Sequence, residues 1–226
     1  MTATPVQAVQ QVDRYIHSRR DADRPLVSWG LYFFLLSWIT FGIYAMVVFY
    51  RRMNRAEQFR LRKQNYYDAT LAFVSQYAEE IGEYATVHDA VGDTDRYVKD
   101  RFVVEHKQIR PGLWLVLSCL TLGVFWYIAV ARVMRFWWQI QVTEQEFDEK
   151  LSPIMIKLNV VRYPITFRPV EELRRSFWMH FVLTIVTLGI YGVIWDYRSH
   201  TDPDKVYPEF HAVEDTVLNA VRGAGA

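Results

Sequence analysis

Cysteine is almost absent from this chain of 226 residues. The single one, Cys119, excludes an intramolecular disulfide and any cysteine-based metal cluster, which suits loops kept in a reducing compartment. An excess of one charge sign is missing too. With 26 Lys and Arg against 25 Asp and Glu, the formal charge of +1 gives no case for nucleic acid as a partner. The chain has no HExxH, CxxC, glycine-rich phosphate loop or GxSxG, and nothing pairs a nucleophile with a base. Neither an enzyme nor a cofactor or metal is therefore expected. A secretory signal is also lacking: the first apolar run begins near residue 25, is too long for a signal core, and leads to Arg51-Arg52 instead of a small-residue cleavage site. The N-terminus is expected to be retained.

What is present is three uncharged apolar runs, Pro25 to Tyr50, Pro111 to Ala131 and Ser176 to Trp195. Runs near 20 residues favour membrane segments over a soluble bundle. They share a core: Thr40-Phe41-Gly42-Ile43-Tyr44, Thr121-Leu122-Gly123-Val124-Phe125 and Thr187-Leu188-Gly189-Ile190-Tyr191. Arg24-Pro25, Arg110-Pro111 and Arg168-Pro169 precede the runs, and proline without an N–H suits the turn into a helix. Phe59, Phe147 and Phe210 follow, 17, 24 and 21 residues after the glycines; these spacings differ by about one or two helical turns and keep the phenylalanines on nearly one face. Three units are expected: 1–94 with membrane segment 25–50 and amphipathic helix 55–84, 95–160 with segment 111–134, and 161–226 with segment 176–197 and a C-terminal helix at 208–221. Gly92-Asp93-Thr94 reads as the break between the first two, and the chain from Gly223 as frayed.

The fold class expected is an all-α membrane protein, its segments either transmembrane helices or re-entrant hairpins, joined by amphipathic cytoplasmic or interfacial helices. Lys and Arg divide as 4, 11, 8 and 3 before, between and after the runs, so alternating spans would place 12 on one side and 14 on the other. That absence of bias, together with the like flanks of every copy, fits hairpins. The commonness of single spans tips the expectation to three crossings, with the glycines as packing sites between helices. Candidate interfacial anchors are Trp29, Trp114, Trp137, Trp138, Trp178, Trp195, Arg51, Arg52, Arg132, Arg135 and Arg198. Arg51 and its basic neighbours would meet anionic headgroups. His180 and Asp196 are candidates for a polar path; the milder readings are a helix-bonded histidine and an Asp196–Arg198 ion pair.

The stretch Ile185-Val186-Thr187-Leu188-Gly189-Ile190-Tyr191-Gly192-Val193-Ile194-Trp195-Asp196-Tyr197-Arg198 resembles small bacterial integral membrane proteins of uncharacterised function. The second copy departs most, with Val124-Phe125 in place of Ile-Tyr. The resemblance implies residence in the bacterial cytoplasmic membrane and transfers no activity. Two functions are compatible with these features. One is a non-catalytic membrane scaffold or accessory subunit, membrane-shaping in the hairpin case, that associates with itself or with a larger membrane complex. The other is a small oligomeric channel or transporter that uses the threonines and Asp196.

Overall fold

Proline at Pro111, the amphipathic spacing of Ala8, Val12 and Ile16, and glycines inside the apolar runs all favour helix with defined stops, and helix is what forms. The computed structural model describes residues 5–19, 23, 26–121 and 123–225. Arg24, Pro25 and Leu122, which figure in the repeat, lie outside the described residues.

The elements are α1 (Pro5–His17); α2, a π-helix Leu31–Leu36 continued by the turn Ser37–Ile39; α3 (Ile43–Glu80); α4 (Tyr84–Val104); α5 (Pro111–Leu120); α6 (Val124–Lys157); α7 (Phe177–Val186); and α8 (Ile190–Ala224). A 3-10 turn, Glu171–Leu173, precedes α7. Among the described residues no strand forms, and no helix is long and apolar enough to cross a membrane.

None of the three apolar runs is a single unbroken helix. Each apolar run folds back on itself at its glycine, giving the hairpins α2–α3, α5–α6 and α7–α8. The glycines are turning points and not packing sites, since a Cβ built on Gly42, Gly123 or Gly189 would meet nothing within 4 Å.

The returning arms continue far beyond the apolar runs as the long helices α3, α6 and α8. Their contacts climb together along the chain. Phe49 stacks on Trp126 at 4.0 Å, and Phe59 lies 5.0 Å from Phe210 and 5.1 Å from Trp137. Further on, Lys63 meets both Glu144 and Glu214, which stand 21, 21 and 25 residues after their own turn glycines. Helices whose contacts advance in step run parallel, so the three turns lie at one end and the body at the other. α1 packs on α3 and α8, and α4 closes the body against α3 and α6.

Three boundaries differ from the sequence reading. The helix at 55–84 is not a separate surface helix: it is the body half of α3, with Ala56, Phe59, Tyr66, Phe73 and Val74 buried by partners the same chain supplies. The break after it falls at Gly82, whose φ of 76° and the Glu83 N–H to Ala78 carbonyl bond close α3. Gly92-Asp93-Thr94 lies inside α4, because one glycine costs a helix only about 1 kcal/mol and Thr94 turns its buried hydroxyl back to the Ala90 carbonyl. At the C-terminus α8 runs unbroken through 208–221 to Ala224, so Gly223 is helical.

Candidate functional site at the hairpin turns

A turn that stands clear of the body must satisfy its own backbone. In the first hairpin Thr40 N–H bonds to Leu36 carbonyl at 3.1 Å, Phe41 N–H to Trp38 at 3.2 Å, Gly42 N–H to Ser37 at 2.8 Å and Ile43 N–H to Thr40 at 3.0 Å. The Thr40 hydroxyl then serves twice. It donates to the Leu36 carbonyl at 2.7 Å and accepts the Tyr44 N–H at 2.9 Å, capping the end of one helix and the start of the next. Thr121 does the same between Leu117 and Phe125, and Thr187 between Leu183 and Tyr191. The 2.8 Å bond of the glycine N–H recurs from Gly123 to Ser118 and from Gly189 to Thr184.

The glycines sit at φ of 85°, 94° and 93°, a region that glycine enters freely. The residue before is the informative one. Phe41 and Leu188 also have positive φ, 49° and 50°, which costs an L-residue about 1–2 kcal/mol. Glycine or asparagine would hold that shape without strain. Yet Phe41 is 97% and Leu188 94% exposed, flanked by Trp38, Ile39, Ile43, Val186 and Ile190, which are exposed as well. The apolar surface continues at Leu120 and Val124 of the second hairpin.

Below the turns the hairpins are joined by polar side chains and rings. Arg52 on α3 donates to Asp196 on α8 at 2.7 Å, and Trp29 Nε1 donates to the other carboxylate oxygen at 2.8 Å. Arg198 therefore does not take Asp196; it reaches the Tyr191 hydroxyl at 3.4 Å. His180 is buried with Nδ1 3.1 Å from the Ser176 carbonyl, the helix-bonded reading. Two of the proposed anchors are core residues. Trp137 is buried against Phe59, and Trp195 donates to Met134 Sδ while packing on Phe177. Trp114 and Trp138 are half-buried beneath the guanidiniums of Arg132 and Arg174, Arg132 also donates to the carbonyls of Lys107 and Gln108, and Trp178, Arg51 and Arg135 are exposed.

The sequence reading missed a buried ionic centre where the long helices meet. Lys63, with no exposure, bridges Glu144 at 2.7 Å and Glu214 at 3.1 Å. Arg62 holds Glu214 at 2.8 Å and Asp23 at 3.2 Å, His211 adds a contact to Asp23, and the Tyr67 hydroxyl donates to Glu144. Burial opposes charge on Glu214, but Lys63 and Arg62 outweigh it and hold the carboxyl below the usual range. Glu144 is pushed up, by burial and by Glu214, against the pull of Lys63. Asp148, buried and without a side-chain hydrogen-bond partner among the described residues, is pushed up to about 8 by burial and by the nearby Glu144. The signal in sequence was Arg62-Lys63 next to Tyr66-Tyr67, two cations on a face otherwise given to aromatic core.

Residues 175–221 match the family described as a domain of unknown function (DUF4234), which places the third hairpin and most of α8 in a stretch similar to that family. No curated protein and no solved structure matches the chain.

Proposed function

We propose that the three hairpins enter one leaflet of a lipid bilayer side by side, so that the chain acts as a non-catalytic membrane scaffold whose helical body lies on the membrane face. The observation that carries this reading is the pair Phe41 and Leu188, strained and almost wholly exposed at the tips of turns that satisfy their own backbone. Water gives no reason to keep a strained apolar residue there. Hydrocarbon does, and it admits a turn only when the N–H and C=O groups are already bonded.

The depth agrees. Arg51, Arg132 and Arg198 each stand nine residues after their turn glycine, about 14 Å along a helix and close to half of the roughly 30 Å hydrocarbon core. Cations would then meet the headgroups of the leaflet that the tips enter. Wedges confined to one leaflet expand it, which supports a membrane-shaping role. The channel reading is weaker, because the three threonine hydroxyls are used within their own turns and Asp196 is held by Arg52 and Trp29.

Two measurements test the proposal. After Cys119 is replaced, single cysteines at Gln11, His88, Arg162 and Glu209, all exposed, should be labelled together from one side of the membrane only. Labelling of alternate positions from opposite sides, or failure of the purified protein to float with vesicles, would overturn it.

A further inference from the structure

A groove of about 750 Å³ opens between α6 and the start of α7. Ile128, Ala131 and Met134 form its apolar wall, Phe177 and the exposed Trp178 its outer edge, and Arg135, Trp138 and Arg174 the end away from the turns. Arg174 lies over the Trp138 ring at 5.8 Å. Its neighbour Arg175 is neutralised by Asp202 at 2.6 Å, whereas the ion pairs among the described residues include neither Arg135 nor Arg174. Two exposed guanidiniums thus share one groove, and no carboxylate among the described residues pairs with either of them.

Their height is set by the hairpins. Arg135 stands twelve residues after Gly123, about 18 Å along α6, and Arg174 precedes the first turn of α7. Ile128 lies between Arg135 and the turn, so polarity in the groove runs from apolar near the tips to cationic near the body. A phospholipid has the same order, acyl chain below and phosphate above. Guanidinium pairs bind phosphate through paired N–H donors, and stacking on tryptophan leaves those donors free at the edge.

We propose that this groove binds one anionic phospholipid, with its phosphate on Arg135 and Arg174 and an acyl chain along Ile128 and Ala131. This rests on the leaflet-insertion reading and adds a preferred lipid class: a headgroup of net negative charge, since a zwitterionic one brings an ammonium that the two cations repel.

The test uses the full chain in mild detergent, with phosphatidylglycerol and phosphatidylcholine titrated in turn and the retained lipid counted by native mass spectrometry. The native protein should retain one phosphatidylglycerol, and the Arg135→Gln/Arg174→Gln variant should lose its preference over phosphatidylcholine by roughly thirtyfold, from about 1 kcal/mol per surface cation. Both side chains are exposed, so folding and flotation with neutral phosphatidylcholine vesicles should not change. The Arg135→Lys/Arg174→Lys variant should keep a measurable preference, which a folding defect would not allow. Equal retention of the two lipids by the native protein, an unchanged preference in the glutamine variant, or displacement of the lipid by millimolar inorganic phosphate would each overturn the site while leaving flotation intact. Loss of flotation by the native protein would overturn the insertion reading and the site with it.

Discussion

Replacing Phe41 and Leu188 by aspartate should move stability and membrane affinity in different directions. Both side chains are exposed, so their removal takes nothing from the core. Aspartate tolerates a left-handed backbone better than phenylalanine or leucine, and so part of the 1–2 kcal/mol of strain at each turn is relieved. The folded body should melt at its original temperature or slightly above. In hydrocarbon, leucine and phenylalanine are favourable by about 0.3–0.6 kcal/mol and aspartate unfavourable by about 2.5–3.5 kcal/mol at the bilayer centre. Two tips near that depth lose about 6 kcal/mol, roughly a 10⁴-fold fall in the partition coefficient. Flotation of the purified Phe41→Asp/Leu188→Asp variant with neutral phosphatidylcholine vesicles reads the second quantity, and thermal unfolding of the same sample reads the first. If the variant floats as the native protein does, the tips are not in hydrocarbon. If it loses several kcal/mol of stability in solution, the exposed tips are docking on the body and the strain argument fails.

The capping role of the threonines predicts that Thr187→Val, which nearly preserves shape, lowers stability by about 1–3 kcal/mol because the Tyr191 N–H and the Leu183 carbonyl lose a partner; thermal unfolding in micelles measures this. Lys63→Met should cost about 3–5 kcal/mol by leaving the buried Glu144 without a cation while Glu214 keeps only Arg62, and unfolding at native stability would refute a charged Glu144 in the folded protein. Asp148, pushed up to about 8, binds its proton more tightly folded than unfolded, so its share of stability is complete below the unfolded value near 3.8 and is lost as pH rises toward 8. His106, brought down to about 4 by burial and by Arg101 and Arg60, works the other way between about 4 and 6.5. The two oppose each other in that window, and above it the His106 contribution no longer changes while that of Asp148 still falls. Stability should therefore fall by about 2 kcal/mol between pH 6.5 and 8, a slope that Asp148→Asn removes in a pH series of unfolding curves.

The helices and the special status of the Thr-x-Gly cores were legible in the sequence, because apolar length and the placement of glycine and proline are local signals. Whether each glycine packs or turns was not. That depends on Phe41 and Leu188 accepting a positive φ, a choice that propensity opposes and that the two threonine hydrogen bonds make possible. The extent of α3 was hidden for a different reason. A charged amphipathic stretch looks the same whether its apolar face meets lipid or protein, and only the tertiary partners α1, α4 and α6, with the rings and carboxylates of α8, decide. Trp137 and Trp195 show the same limit, being amphipathic rings that the fold assigned to its core. Lys63, Glu144 and Glu214 come from three distant segments and meet only because parallel helices bring residues at similar distances from their turns to one level.

That ionic centre stands about 32 Å along α3 from Gly42, beyond the midpoint of the helices that carry the turns. The three legs are thus tied at two levels, there and nearer the turns, where Arg52 meets Asp196 and Phe49 stacks on Trp126. If the turns enter a bilayer as proposed, their spread, and with it the area that each copy adds to that leaflet, depends in part on a charge pattern that lies outside the bilayer. On that proposal, a change at Lys63 or Glu214 is expected to alter the footprint without altering a single residue of the turns.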